Sequence, residues 1–394
     1  MRANQIFKVF LKLGLTSFGG PTAHIGYFRK EFVEQRKWLS EAEFAQLLAI
    51  CQFLPGPASS QLGFGIGLLK GGGLGALAAF TAFTLPSACL MLLAALLLPY
   101  TSGQTADVVI QALKLVAVVV VADALFGMWK NLCPDRPRQI MALASAAVLL
   151  SADTVGAQML IIAAAAVVGA YALRTSQDAQ PDTQVQGLHI SYSNRLGWVF
   201  AALFVLIFVS LPLLSAWHPT LALADTFYRA GALVFGGGHV VLPLLENAAV
   251  QQHAITEAEF LAGYGAAQAM PGPLFTLSAY LGALADGTAS PVAYSVVALL
   301  FIFLPGFLLL LAALPLWHKL AGQPRAANMV AGVNAAVVGI LGAALYNPLF
   351  TSSVVSSMDA AIVVLGLGLL RIGQFSPLWV ILWCLVASTA LHLI

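Results

Sequence analysis

"QFLPGPASSQLGFGIGLL", residues 52–69, breaks one of the most apolar parts of the chain at Pro55-Gly56-Pro57 and follows the break with Ser59, Ser60 and Gln61. The pattern returns at 268–284 as "QAMPGPLFTLSAYLGAL", with Gln268, Pro271, Gly272 and Pro273 standing 216 residues after Gln52, Pro55, Gly56 and Pro57. Other blocks recur in the same order. "FGGP" at 18–21 pairs with "FGGG" at 235–238, "LSEAEF" at 39–44 with "ITEAEF" at 255–260, and "FTLPS" at 83–87 with "IFLPG" at 302–306. Conserved order at near-constant spacing is the mark of a tandem duplication, here over 1–173 and 219–394. Residues 174–218 join the copies as a polar linker followed by one apolar span, 196–216.

Composition sets the solvent. The 394 residues are 60% hydrophobic and only 9% charged, against about 25% charged in soluble domains. Continuous apolar runs at 74–99, 108–130, 196–216, 292–316 and 329–346 are of the length, roughly 20 residues, that spans a bilayer as a helix. A β-barrel would show alternating segments of about ten residues instead. The chain therefore reads as an all-α polytopic membrane protein. No cleavable signal peptide is expected, because Lys8 and Lys12 interrupt the first apolar run. The four cysteines are scattered, so neither a disulfide framework nor a metal site is indicated.

One extra crossing between two even-numbered copies turns the second copy upside down. Charge supports this through the excess of Lys and Arg in cytoplasmic loops. Residues 28–43 hold Arg29, Lys30, Arg36 and Lys37, while 246–259 hold none; 130–138 hold Lys130, Arg136 and Arg138, while 346–358 hold none. The loop at 99–107 lacks Lys and Arg, but 317–328 carries Lys319 and Arg325. The expected topology has the N-terminus and linker in the cytoplasm and the C-terminus outside. Residues 5–17 and 22–33 are too short to cross singly and read as a hairpin broken at Gly19-Gly20-Pro21. Residues 44–54 and 57–69 read as a second hairpin, meeting at Pro-Gly-Pro.

Irregular backbone inside a membrane is tolerated where protein or water covers it. In transporters with inverted repeats, interrupted helices aim their N-termini at anionic substrates. The first turn of a helix has N–H groups without intrahelical partners and about half a positive charge. Pro57 with Ser59 and Ser60, and Pro273 with Thr276, thus read as two helix starts with hydroxyls nearby. Gly19, Gly20, Gly236, Gly237 and Gly238 add exposed N–H groups. Ordinary helix packing by Pro and Gly is the competing account, and it explains a single motif better than a matched pair.

"FGGP", "QFLPGP" and "GGGLGALAAFTAFTLPS", duplicated around a central extra helix, resemble the chromate ion transporter family in its long, two-domain form. The resemblance spans all but the linker and the central helix. It implies export of chromate across the cytoplasmic (inner) membrane and chromate resistance, with sulfate as a structural mimic; transport or channelling of sulfate or another small oxyanion is the alternative. The second copy departs from the pattern in having Gly238 and His239 where the first has Pro21 and His24.

Ionisable groups in the membrane are functional candidates, because each costs several kcal/mol unless compensated. Lys12 and Arg229 lie seven residues before Gly19 and Gly236 and either reach toward those turns or snorkel to headgroups. Asp123 has no acidic counterpart in the other copy; it carries a coupling proton, caps a pore or pairs with a basic residue. Arg371 stands at a hairpin tip, where it contacts substrate or serves packing. His24 and His239 donate to an oxyanion or act as structural histidines. Gln52 and Gln268 are candidate amide donors. No Walker-type phosphate loop is present, and no enzyme activity or cofactor is expected. The expected partners are the oxyanion and the lipid bilayer. No nucleic acid is expected, and a homodimer stays open.

Overall fold

The computed structural model describes residues 1–100, 103–152, 154–173, 188, 190, 192–235, 241–252, 255–317 and 323–392. Among these residues there is no β-strand. The first copy runs through α1 (Ala3–Thr16), α2 (Gly20–Arg29), α3 (Glu41–Phe53), α4 (Ala58–Leu97), α5 (Gln104–Leu132), α6 (Arg136–Ser151) and α7 (Val155–Ala172). The connecting helix is α8 (Asn194–Leu214). The second copy repeats the series as α9 (Pro219–Leu233), α10 (Val241–Gln252), α11 (Glu257–Ala269), α12 (Leu277–Leu284), α13 (Pro291–Ala313), α14 (Pro324–Ala344), α15 (Ser357–Arg371) and α16 (Pro377–His392). The five stretches long and apolar enough to span a bilayer are Ala58–Leu97, Asp107–Leu132, Asn194–Trp217, Pro291–Leu316 and Pro324–Ser353, which contain the five apolar cores read from the sequence apart from two residues at the end of the first.

The repeated "SEAEF" and "TEAEF" blocks have a local structural reason. Ser40 accepts the amide of Glu43 while Glu43 accepts the amide of Ser40, and Thr256 with Glu259 does the same at the start of α11. Each capping box satisfies two orphan N–H groups, and losing such a cap costs about 1 kcal/mol. Beside the first box, Arg29 donates to both carboxylate oxygens of Glu41 at 2.8 and 3.0 Å and also pairs with Glu34. This pairing holds the Glu41 carboxyl below its ordinary range and ties down the charged segment after α2.

Between membrane helices, lipid is as apolar as leucine, so close backbone approach at small residues replaces the hydrophobic drive. Gly14 and Gly231 are counterparts in the two copies. A Cβ on Gly14 would stand 2.7 Å from the carbonyl oxygen of Phe83, and one on Gly231 would collide with the carbonyl of Ile302. Phe83 and Ile302 open the matched "FTLPS" and "IFLPG" blocks. One helix crossing, α1 on α4, is therefore repeated as α9 on α13.

The copies also exchange partners. Helix α5 of the first packs on α15 and α16 of the second, while its counterpart α14 packs on α6 and α7 of the first. Reciprocal contacts of this kind are what a two-fold relation between repeats produces. With the single helix α8 between them, the repeats are of inverted topology. Helix α8 packs on α9 and α13 and is otherwise exposed along its length.

Helix α4 contains the short segment that follows the first Pro-Gly-Pro, and it bends at Gly72, whose φ is +63°. The Met1 ammonium donates to the carbonyl of Lys70 at 2.6 Å, so this segment returns to the end of the molecule where α1 begins. In the second copy the same reversal separates α12 from α13.

Candidate functional site

Both kinds of interruption lie where the sequence places them, and they meet across the copies. Helix α1 ends at Thr16; Gly19 and Gly20 have φ of +98° and +74°, and Pro21 enters the first turn of α2. The Pro-Gly-Pro turns each carry a left-handed glycine, Gly56 at φ +123° and Gly272 at φ +103°. The N–H of Gly56 donates to the carbonyl of Val234 at 2.7 Å, and the N–H of Gly272 donates to the carbonyl of Ser17 at 2.9 Å. Ser17 and Val234 directly precede Phe18 and Phe235 of the matched glycine motifs. Each copy's proline turn is thus bonded to the C-cap residue of the other copy's first helix.

The glycines are required twice over. A Cβ on Gly56 would lie 2.9 Å from the Cα of Gly306, and one on Gly272 would lie 2.7 Å from the Oγ of Ser87. Gly306 and Ser87 end the matched "LPG" and "LPS" blocks. Pro57 and Pro273 occupy the N-cap positions of the helix starts read from the sequence. The first leads straight into α4; the second leads through one 3-10 turn, Leu274–Thr276, into α12.

Side chains around these turns are buried and polar. Ser59, Ser60 and Gln61 open α4, and the Ser60 hydroxyl has no hydrogen-bond partner. Gln61 donates to the carbonyls of Pro55 and Gly306, at 3.0 and 2.9 Å, and so locks the first proline turn to α13. On the opposite side, the hydroxyls of Ser17 and Thr84 are buried without partners, while Ser87 donates to the carbonyl of Thr84. Thr276 donates to the carbonyl of Pro273. Gln268 is buried beside Tyr264, whereas Gln52 is exposed.

His24 is fully buried, edge-on to Phe83, with Nε2 3.2 Å from the Ser17 carbonyl. A carbonyl only accepts, so Nε2 carries the proton, and Nδ1 of the neutral ring is a bare acceptor. A neutral His24 consequently has no N–H to offer an oxyanion; in this geometry it braces the Ser17 carbonyl that receives Gly272. Gly236, Gly237, Gly238 and His239 lie outside the described residues.

The charged candidates find partners rather than glycines. Lys12 lies 4.0 Å from Glu31, a buried carboxylate that Arg36 also holds at 2.7 Å. Arg229 pairs with Asp225 at 2.8 Å and lies over the ring of Phe208 on α8. Asp123 and Arg371, each without an assigned partner in the sequence reading, pair with one another at 2.6 Å, and Arg371 also lies over Phe126.

Ser17, Gln61, Thr84 and Ser87 were not among the sequence candidates. Gln61, Thr84 and Ser87 do sit inside the repeated blocks, which was the available signal. Ser17 gains significance only from what packs beside it. Chemically, the arrangement offers one helix start (α4), a second through a 3-10 turn (α12), unpartnered hydroxyls and no fixed cation at the turns among the described residues. Such a set suits an anion that must be held and then released, since partial charges bind without trapping.

A family model described as "Chromate transporter" matches residues 4–170 and again 221–389. A protein named "Probable chromate transport protein" from Synechococcus elongatus is 29% identical over 355 residues, covering 86% of this chain and 83% of its own. The "Chromate transport protein" of Pseudomonas aeruginosa is 27% identical over 362 residues, 86% of this chain and 79% of the relative. An uncharacterized transporter of Methanocaldococcus jannaschii is 26% identical over 389 residues, 98% and 93% of the two chains. No solved structure matches the chain.

Proposed function

The chain belongs to the chromate transporter family, and on that premise we propose that it exports chromate from the cytoplasm as a tetrahedral dianion and so confers chromate resistance. It does this in the cytoplasmic membrane, with its N-terminus inside and its C-terminus outside. The distribution of Lys and Arg between matched loops supports that orientation. The two matched segments, 1–173 and 219–394, act as the moving halves.

One observation carries the reading: the reciprocal bonds from Gly56 to Val234 and from Gly272 to Ser17. They bring both interrupted-helix pairs to one boundary between the halves. The dianion binds there against the first turns of α4 and α12. The hydroxyls of Ser17, Ser60 and Thr84 supply neutral donors. Rocking of one half against the other opens the boundary to either side in turn, as in other inverted-repeat carriers.

Energetics favour export without ATP. Each elementary charge moved across about 100 mV is worth about 2.3 kcal/mol, so a dianion leaving a cell that is negative inside gains about 4.6 kcal/mol. That sum alone sustains a concentration ratio of roughly two thousand.

The direct test is uptake of radiolabelled chromate into inside-out vesicles, with membrane potential and pH gradient clamped separately. Saturable uptake driven by a positive vesicle interior is expected. Flux no greater than in vesicles lacking the protein would refute the proposal.

A further inference from the structure

Where α3, the start of α8 and the end of α13 converge, the structure leaves a cavity of about 310 Å³. Small-molecule pockets run from about 300 to 1,000 Å³, so this one has room for a compact ligand. Its frame is held from three sides. Gly197 lets α8 pass close to Pro315, where an added Cβ would stand 2.8 Å from the proline ring. The Tyr192 hydroxyl donates to the carbonyl of Leu311 at 2.7 Å. Trp317 packs edge-on against Phe53, two residues before Pro55, with ring centroids 5.5 Å apart.

The lining decides what fits. Ile50, Leu188, Ile190, Leu314 and Trp317 give apolar walls, and none of the described lining residues is charged. An ion entering here would lose hydration without gaining a counter-charge, so this is not a second seat for an oxyanion. The polar groups are the amides of Gln46 and Asn194 and the phenol of Tyr192. The Gln46 amide oxygen is buried and has no hydrogen-bond partner. An amide oxygen only accepts, so whatever satisfies it must bring an N–H or an O–H. Asn194 is exposed and stands at the mouth.

We propose that this cavity binds one uncharged, largely apolar molecule carrying an N–H or O–H donor. The donor bonds the Gln46 amide oxygen, and the apolar body lies against Ile50, Leu188 and Trp317. On the orientation proposed above, the cavity faces the cytoplasmic membrane interface, where molecules with one apolar and one polar end collect. Helix α3 carries Gln46 and Ile50 and ends directly before the first proline turn. An occupant therefore braces that helix and slows transport. This consequence rests on the transport reading; the binding site itself does not.

The test is isothermal titration of the purified full-length protein in lipid nanodiscs, with empty nanodiscs subtracted. The probes are 2-naphthol, which has an O–H donor, and 2-methoxynaphthalene, which has the same rings and no donor. 2-Naphthol should bind saturably and about threefold to tenfold more tightly than the ether, the difference that one neutral hydrogen bond makes. Gln46→Leu should erase that preference. Leu188→Trp should fill the cavity and weaken both probes, and Ile190→Trp serves if that variant does not fold. No saturable binding above empty nanodiscs, as when disc lipid already fills the cavity, overturns the proposal. So does a preference unchanged by Gln46→Leu, or filled variants that bind as the unmodified protein does. In inside-out vesicles with the potential clamped, saturating 2-naphthol should lower chromate uptake; uptake that is unaffected overturns the bracing of α3. Probe binding as expected in a protein that moves no chromate counts against the transport reading instead.

Discussion

Arg371 holds Asp123 across the boundary between the two copies, with Nε 2.6 Å from Oδ1 and Nη2 2.6 Å from the Asp123 carbonyl oxygen. The acid comes from α5 and the base from the end of α15, helices whose packing is itself reciprocal between the repeats.

Removing one member of this pair should hurt more than exchanging both. Asp123→Asn or Arg371→Gln is expected to lower Tm and transport, and the swap Asp123→Arg with Arg371→Asp to recover part of each. A double-mutant cycle should give a coupling of about 0.5–3 kcal/mol. Additive losses would mean that the pair contributes nothing as a pair.

The turn glycines should be intolerant in both copies. Gly56→Ala and Gly272→Ala force a side chain into left-handed backbone and against a neighbour within 3 Å. Each should cost more than about 1 kcal/mol, read as lower Tm together with lost chromate flux. Gly127→Ala is the control, because Gly127 lies inside helix α5 with open space around it; there alanine should stabilise by up to about 1 kcal/mol.

The unpartnered hydroxyls should matter for substrate and not for folding. Ser17→Ala, Ser60→Ala and Thr84→Val remove groups that bond nothing in the protein. Tm should hold. A hydrogen bond to a charged ligand is worth about 1.5–3 kcal/mol, so KM for chromate should rise roughly tenfold or more at each contacting position. Unchanged kinetics at all three would move the anion site elsewhere.

Orientation can be read by labelling from one side. Lys37 and Ala258 are exposed in matched segments of the two copies, 28–43 and 246–259. In a background lacking the four native cysteines, Lys37→Cys should react with an impermeant maleimide only from the cytoplasm and Ala258→Cys only from outside. Labelling of both from the same face would contradict inversion.

Much of this architecture was legible from the chain alone, and the reasons differ by feature. The helical class follows from unbroken apolar runs, since a bilayer leaves few ways to satisfy backbone N–H and C=O groups. The breaks at Gly19-Gly20 and at each Pro-Gly-Pro follow from residues that cannot continue a helix or that accept positive φ. The "SEAEF" and "TEAEF" blocks proved to be capping boxes, a local device that four consecutive positions suffice to encode. His24 shows the boundary: its place beside the glycine turn is in the sequence, but the direction of its Nε2–H toward Ser17 is not.

Duplication, inversion and the positions of the interruptions were determined by sequence, because each is written in local residue preferences or in repetition along the chain. Which interruption meets which was decided only in three dimensions. So were the pairing of Asp123 with Arg371 and the turning of Arg229 toward Phe208. These contacts join residues from different helices, and mostly from different copies. They depend on how surfaces fit once the helices have formed, and no periodicity in a linear chain records that fit.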